Sequence, residues 1–204
     1  GGEYLLMPTT IEGTFNVNTP ISLTGVEGAT IKGRVNVGSN GSGSSFENIN
    51  FAINDASKAK NTFSGAQYKY PGIVVIYAAA TSFEGCEFET DINAGVCGIN
   101  YGAHAAGKML NVNNCKFVGS YYALYTRVLF NITNCEFVST YEDNCLAAVF
   151  SYGLGGDAGT ANFSNNKGVS NYVFNGVQAT ASNFAFSNTT FTFANNEGFT
   201  TEFD

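Results

Sequence analysis

The block NITNCEF at residues 131–137 decides the fold, because the same seven-residue pattern recurs along the chain. Clear copies are SFENINF at 45–51, SFEGCEF at 82–88 and NVNNCKF at 111–117, and weaker copies are NFSNNKG at 162–168 and AFSNTTF at 185–191. The second position is apolar and the third polar, the fourth is Asn or Gly, and a small residue, a polar residue and usually Phe follow. This order predicts a strand, a one-residue bend and a second strand.

Aromatic residues end short apolar runs between these blocks, at intervals of 24, 24, 25 and 24 residues: Tyr77, Tyr101, Tyr125, Phe150 and Phe174. A nearly constant interval with loops of variable length is typical of a solenoid, in which each coil contacts only its neighbours. Equivalent residues recur one coil apart and not across two-residue turns, so the strands are predicted to be parallel. The chain is therefore predicted to be all-β, a single right-handed parallel β-helix of roughly eight coils.

The length of 204 residues fits one domain. We predict a single β-helix domain over residues 1–204, with N-terminal coils and a cap in 1–43, regular coils in 44–193 and a C-terminal end in 194–204. The N-terminal part is expected to consist of shorter strand-turn units punctuated by Gly. Neither end shows an amphipathic helix that would cover unpaired strands, so we expect a homo-oligomer or a larger assembly formed by self-association.

Stacked coils place like residues over like residues. The second block position predicts one interior row and the seventh position another: Phe46, Phe83, Val112, Ile132, Phe163 and Phe186 in the first, and Phe51, Phe88, Phe117, Phe137 and Phe191 in the second. The bend position requires a left-handed conformation, which Gly and Asn tolerate best. It holds Gly85 and a predicted structural ladder of Asn48, Asn114, Asn134, Asn165 and Asn188.

Cys86, Cys115 and Cys135 share the fifth position of three successive blocks. We expect them to stack in the interior as free thiols that behave as small apolar side chains. Cys97 and Cys145 are predicted to lie two coils apart, too far for a disulfide. No CxxC pair indicates zinc, and no metal site is predicted. Reduced thiols fit folding in the cytosol, as for a virion protein, and burial would also protect them in an oxidising compartment.

A bend with an Asn ladder between two strands resembles the right-handed parallel β-helix of the pectate-lyase-like superfamily, which phage tailspikes and many surface proteins also use. The resemblance covers most of the chain as architecture. The superfamily contains lyases, hydrolases, adhesins and inert scaffolds. The resemblance therefore implies a fold and leaves several function classes open.

No catalytic motif of that superfamily is carried over residue by residue into this sequence. Its lyases need several carboxylates that bind calcium beside a basic residue, whereas here Lys116 stands between Glu87 and Glu136 in one slot, which predicts a salt-bridged ladder. Weak catalytic candidates near one longitudinal strip are Lys108, Arg127 and Asp157. The sequence therefore favours a protein without enzymatic activity, with a polysaccharide lyase or glycoside hydrolase of the pectate-lyase-like type as the alternative.

Tyrosines in predicted loops or on the outer surface indicate carbohydrate binding, because sugars stack on exposed rings. The candidates are Tyr68, Tyr70, Tyr121, Tyr122, Tyr141 and Tyr152. The net charge of −7 and the lack of a basic run argue against nucleic acid as a partner, and no apolar stretch is long enough to span a membrane. We predict a structural or adhesive module of an extracellular, cell-surface or virion assembly, which needs no cofactor and binds cell-surface or environmental polysaccharide.

Overall fold

A computed structural model describes residues 1–53, 62–63, 66–67, 72–90, 97–101, 105–119, 122–138, 147–150, 158–168, 174–175 and 189–199. Within these ranges the chain is all-β, and its two large sheets are parallel. One short 3-10 turn, Ser39–Gly41, is the sole helical segment of the described part. The predicted all-β class and the parallel pairing are confirmed.

Sheet A contains eight parallel strands, each in register with the next. Strands are numbered in chain order from β1 to β22. The order in sheet A is β1 (Gly2–Leu6), β3 (Ile21–Gly25), β5 (Ser44–Glu47), β10 (Thr81–Glu84), β13 (Met109–Asn113), β16 (Leu129–Thr133), β19 (Gly159–Ser164) and β22 (Thr189–Ala194).

Sheet B contains twelve strands and has two arms that meet at β4 (Thr30–Val37), with β2 (Thr10–Val17) paired to β4. Arm B1 continues from the first half of β4 through β6 (Asn50–Ile53), β11 (Glu87–Thr90), β14 (Lys116–Val118), β17 (Glu136–Val138) and β20 (Lys167–Gly168). Arm B2 continues from the second half of β4 through β9 (Gly72–Ile76), β12 (Cys97–Tyr101), β15 (Tyr122–Thr126), β18 (Ala147–Phe150) and β21 (Phe174–Asn175). A small antiparallel hairpin of β7 (Thr62–Phe63) and β8 (Ala66–Gln67) lies in the segment between β6 and β9.

The chain passes from sheet A to arm B1 and then to arm B2 before it returns to sheet A. This repeated course, with parallel pairing between successive passes, is the arrangement of a solenoid. The residues that bend the chain between sheet A and arm B1 are the Asn and Gly of the repeated block. The repeat in the sequence is therefore the part of each coil where the chain turns.

The N-terminal strands are longer than the sequence indicates. We expected short strand-turn units, whereas β2 and β4 are eight-residue strands that run through both arms of sheet B. Their bends lie at Gly13 and Gly33, with φ of 138° and 134°. A Cβ atom on Gly33 would overlap the carbonyl oxygen of Gly13, so the close approach of the two strands requires a glycine at position 33.

The two predicted Phe-rich rows lie in the hydrophobic core. In the first row, Phe46, Phe83, Val112, Ile132 and Phe163 are in register on successive strands of sheet A. In the second row, the rings of Phe51, Phe88, Phe117 and Phe137 stack with centroid distances of 5.1, 4.7 and 5.1 Å along the row. Burial of these rings supplies the main favourable contribution to folding.

The last coil differs from the prediction, and the assignment of Phe191 to the second row is wrong. Phe191 lies in β22 opposite Ala161, and Phe193 continues the first row beyond Phe163. Gly168 follows Phe137 in the second row, and the ring of Phe199 occupies the space above it, 2.4 Å from where a Cβ of Gly168 would stand. Phe186, predicted in the first row, lies outside the described residues.

The aromatic residues of this series form no continuous row in the described strands, although Tyr125 and Phe150 are in register. Tyr101 stands opposite Thr126, and Tyr125 stands opposite Asn100. The connections from arm B2 back to sheet A differ in length, since β9 and β10 are closer in sequence than β12 and β13. The regular spacing of the tyrosines therefore reports the length of a coil and not the register of its strands.

Candidate functional site

The predicted bend residues adopt the left-handed conformation that Asn tolerates. Asn48, Asn114, Asn134 and Asn165 have φ between 53° and 57°, and Gly85 has φ of 61°. Asn188 lies outside the described residues.

The final bend is at Asn195, with φ of 56°, and its Nδ2 donates a hydrogen bond to the Oδ1 of Asn165 at 3.1 Å. The sequence analysis missed it. The signal was TFANNEG at 192–198, which matches NFSNNKG at 162–168 better than AFSNTTF does.

The structure places Cys86, Cys115 and Cys135 in the interior as free thiols. The Sγ of Cys86 donates to the carbonyl oxygen of Phe46 at 3.5 Å, and the Sγ of Cys135 donates to that of Val112 at 3.6 Å. A hydrogen bond from the Cys115 thiol lowers the pKa of Cys86, whereas burial is the largest cause of a raised pKa at Cys115. These thiols satisfy backbone carbonyls, which is a structural role.

Asn166 and Asn196 continue the thiol row toward the C-terminal end. The Nδ2 of Asn166 donates to the carbonyl oxygen of Ile132 at 3.1 Å, and the Nδ2 of Asn196 donates to that of Phe163 at 2.9 Å. Their Oδ1 atoms accept backbone N–H groups one coil back, from Cys135 and Asn166 respectively, both at 2.9 Å. Amide and thiol side chains thus donate hydrogen bonds to equivalent backbone carbonyl groups in successive coils.

Two of the three weak catalytic candidates, Lys108 and Arg127, lie among the described residues. The Nζ of Lys108 donates to the Oγ of Ser42 at 3.3 Å, and this Oγ also accepts the backbone N–H of Ala80 at 3.0 Å. Met109 pairs with Leu129, so Lys108 is level with the residue after Arg127 and not with Arg127. Asp157 lies outside the described residues. Lys108 links segments that precede β5, β10 and β13, at the N-terminal ends of these strands. It has no carboxylate partner among the described residues.

The tyrosines predicted to bind glycans lie outside the described residues, except for the backbone of one of them. Tyr68, Tyr70, Tyr121, Tyr141 and Tyr152 lie outside the described residues. Tyr122 begins β15, and its backbone alone is described. The aromatic strip stays a prediction.

The outer face of sheet A carries two adjacent polar rows. The registers place Ser22, Ser45, Ser82, Asn111, Asn131, Asn162 and Thr192 in one row, and Thr24, Glu47, Glu84, Asn113, Thr133 and Ser164 in the other. Hydrogen bonds connect neighbours along these rows, such as Asn113 Nδ2 to Glu84 Oε2 at 2.8 Å and Thr133 Oγ1 to Asn113 Oδ1 at 2.8 Å. Asn162 Nδ2 likewise donates to Asn131 Oδ1 at 2.7 Å. This face presents ordered hydroxyl, amide and carboxylate groups.

Charges alternate along the outer face of arm B1. Glu87 is in register with Lys116, Lys116 with Glu136, and Glu136 with Lys167. Within the described ranges, however, the ion pair with a distance below 4.0 Å is Lys32 to Glu12, at 3.5 Å. The predicted ladder is therefore an alternation of charge between neighbouring strands without close ion pairs, which suits an exposed row in water.

Three large apolar side chains are exposed at the N-terminal end of the described strands. Tyr4, Leu5 and Met7 are 54%, 62% and 58% exposed, and they are the large apolar side chains that are exposed among the described residues. Tyr4 belongs to the first interior row, since it stands opposite Leu23. Strand β1 pairs only with β3, and β2 pairs only with β4, so each has one unpaired edge in the described part of the chain.

A cavity of about 470 Å³ opens where β2 and β4 bend, and the sequence analysis missed it. It is lined by Glu12, Gly13, Thr14, Lys32, Gly33, Arg34 and Ile53. The Arg34 side chain is buried, with 6% of its residue surface exposed, and its Nε donates to the Oδ1 of Asn36 at 2.7 Å. The signal in the sequence was the pair TIEGTFNV and TIKGRVNV, which aligns Glu12 with Lys32 and Thr14 with Arg34.

Among the described residues, no three His, Cys, Asp or Glu side chains are grouped so that they could hold a metal ion. In the same part of the chain, no helix is long and apolar enough to cross a membrane. No protein-family model, curated protein or solved structure matches the chain at a significant level.

Proposed function

We propose that the chain is a noncatalytic structural or adhesive module of an extracellular, cell-surface or virion assembly. In this proposal the solenoid is a right-handed parallel β-helix of about eight coils, similar to those of the pectate-lyase-like superfamily. The eight strands of sheet A support the number of coils. The observation that carries the proposed function is the open apolar end formed by Tyr4, Leu5 and Met7.

An open end of a solenoid favours association. The unpaired edges of β1 and β2 present backbone N–H and C=O groups in rows that another strand can bind. Removal of exposed apolar side chains from water adds a favourable contribution of about 25 cal/mol per Å² buried. A second copy of the chain is the occupant that we propose for this end, and its attachment produces a longer rod.

The adhesive part of the proposal concerns the outer face of sheet A. Its two polar rows offer donors and acceptors at a regular spacing of roughly 4.8 Å along the rod. Hydrogen bonds between neighbouring side chains, as from Ser45 Oγ to Ser22 Oγ at 3.2 Å, hold these groups in place. An extended polysaccharide has hydroxyl groups along its length that such a face can bind.

Light scattering coupled to size-exclusion chromatography tests the proposal. The double variant Leu5→Lys, Met7→Lys places two charges on the open end, where they are compatible with solvent but not with burial in an interface. A matched control, Ala106→Lys with Asn111→Lys, adds the same charge at exposed positions away from this end.

We expect the parent chain and the control to associate as protein concentration rises, and the double variant at the open end to stay monomeric. A parent chain that remains monomeric at high concentration would contradict the proposal. Equal association of the parent chain and the double variant would also contradict it.

A further inference from the structure

We propose that Asn40 is an acceptor site for an N-linked glycan. The sequence contains four Asn-x-Ser/Thr motifs, the signal for this modification, and they begin at Asn40, Asn131, Asn162 and Asn188. Asn188 lies outside the described residues. The modification occurs on secreted chains, so the inference rests on the extracellular or cell-surface location proposed above.

The chemistry of the modification sets two requirements. The side-chain amide nitrogen attacks the anomeric carbon of an oligosaccharide that is linked to a lipid pyrophosphate. The bond from this carbon to the pyrophosphate oxygen breaks, a carbon–nitrogen bond forms, the amide nitrogen loses one proton, and the lipid pyrophosphate leaves. The amide must therefore be within reach of the transferase, and the modified chain must still be able to fold around a bulky, hydrophilic group.

Asn40 meets both requirements. It lies in the 3-10 turn Ser39–Gly41, between the end of β4 and the start of β5. Its side chain is exposed and forms no hydrogen bond with a described residue. The turn carries the chain from arm B2 to sheet A, so it is at a corner of the solenoid and not on a strand. A glycan at this corner extends into solvent and separates no paired strands.

The turn is held against the preceding coil in a way that leaves Asn40 outside. The N–H of Gly38 donates to the carbonyl oxygen of Val17 at 3.1 Å, and the N–H of Gly41 donates to that of Gly38 at 2.8 Å. Gly41 is buried, and a Cβ atom built on it would lie 2.6 Å from the Val17 carbonyl oxygen. The turn therefore packs through Gly41 and presents the neighbouring asparagine to solvent.

The motifs at Asn131 and Asn162 are in a different environment. The two residues are in register on adjacent strands of sheet A, and both are half-buried. The Nδ2 of Asn162 donates to the Oδ1 of Asn131 at 2.7 Å. Adjacent strands lie about 4.8 Å apart, so a sugar on either amide would crowd the side chains beside it and compete with this hydrogen bond. We therefore expect Asn40 to be the preferred acceptor among these three.

Peptide mapping by mass spectrometry tests the inference on the full chain, secreted from eukaryotic cells behind a cleavable leader. Peptide N-glycosidase in heavy-oxygen water removes each glycan and converts the modified Asn to an isotope-labelled Asp, so the occupancy of every motif is measured separately. We expect labelled Asp at position 40 in most copies of the secreted chain. The occupancy of Asn131 and Asn162 should be several-fold lower.

Three variants identify the acceptor. Asn40→Gln should remove one glycan from the intact mass and leave the fold unchanged, because this side chain is exposed and forms no hydrogen bond with a described residue. Ser42→Thr keeps the hydroxyl group of the motif and should keep the glycan. The matched control Asn50→Gln changes an exposed asparagine outside any motif and should leave the glycan mass unchanged.

A secreted, folded chain without a glycan at Asn40 would overturn the inference. Equal occupancy of Asn40, Asn131 and Asn162 would also overturn it, because the motif and not the fold would then decide the site. The Asn40→Gln variant separates this inference from the proposed assembly. If neither the glycosylated parent chain nor this variant associates as concentration rises, the proposed assembly is wrong, whereas a glycan mapped to Asn40 still supports the acceptor site.

Discussion

At the scale of single residues, the interior position after the bend holds a side chain with a hydrogen-bond donor in all described copies but the first, which has Ile49. Cys135 Sγ and Asn166 Nδ2 donate to equivalent carbonyl groups, those of Val112 and Ile132. The recurrence of Cys in the repeated block made the thiol row predictable. That Asn166 continues the thiol row was not predictable, because the sequence does not distinguish it from the neighbouring bend residue Asn165.

Cys97 gives a prediction about pH. It is fully buried, and burial raises the pKa of its thiol above the ordinary value of 9.0. The stability from this protonated thiol is therefore fully present below the pKa of the unfolded chain and is lost as the pH rises through the folded pKa. We expect Cys97→Ala to reduce the fall in unfolding free energy above about pH 9, by at most about 1.4 kcal/mol per pH unit.

Urea denaturation from about pH 8 to about pH 10 measures the effect as a difference between the variant and the parent chain, which cancels the titration of other groups. Val74→Ala is the control, because it also truncates a buried side chain but removes no titrating group. It should lower stability by a similar amount at every pH. Parallel pH profiles for the parent chain and Cys97→Ala would show that this thiol is not linked to folding.

At the scale of strands, β2 and β4 show that a glycine can bend a strand without ending it. Gly in a strand pattern usually indicates a bulge, a bend or a strand end, and the sequence alone does not distinguish among them. Here the pairing of TIEGTFNV with TIKGRVNV over all eight residues decides the matter. The cavity was missed for the same reason, since it exists only if both strands continue through their glycines.

Substitution of Gly33 should be far more harmful than substitution of another glycine with positive φ. A Cβ on Gly33 meets the Gly13 carbonyl oxygen at 2.1 Å, whereas a Cβ on Gly107, with φ of 70°, meets no atom within 4 Å. We expect Gly107→Ala to cost about 1 kcal/mol from backbone strain and Gly33→Ala at least about 3 kcal/mol from strain and overlap. Equilibrium urea denaturation compares the two, and equal costs would argue against the close approach of β2 and β4.

At the scale of the whole molecule, the sequence was sufficient for the fold class and insufficient for the surfaces. Rows of Phe and the bends at Asn are local patterns repeated in each coil, so they identify parallel stacking. The error at Phe191 arose because AFSNTTF imitates the block while the true copy begins at Thr192. The surfaces depend on where each strand ends, as β6 does at Ile53. The periodic pattern of the sequence does not specify these strand ends.

Phe199 allows a test of how far a change spreads along the rod. Its ring packs against Phe137 and Phe163 at centroid distances of 5.7 and 5.3 Å. In a solenoid each coil contacts only its neighbours, so Phe199→Ala should reduce hydrogen-exchange protection in β19, β20 and β22 and leave β3 and β5 unchanged.

Hydrogen exchange followed by mass spectrometry resolves these strands. Phe83→Ala is the matched control, since Phe83 stacks on Phe46 and is in register with Val112, and it should affect β5, β10 and β13 instead. A uniform loss of protection along the chain in both variants would indicate one cooperative unit and not a series of coupled coils.

The in-register pairing of sheet A has a consequence for the evolution of such a chain. Each strand of sheet A pairs in parallel and in register with the next. A duplicated coil would therefore pair on both sides with coils like those that the original coil already contacts. Each duplication would lengthen the solenoid by about 4.8 Å and leave its cross-section unchanged. Tandem duplication of coils can therefore change the length of such a protein in equal increments.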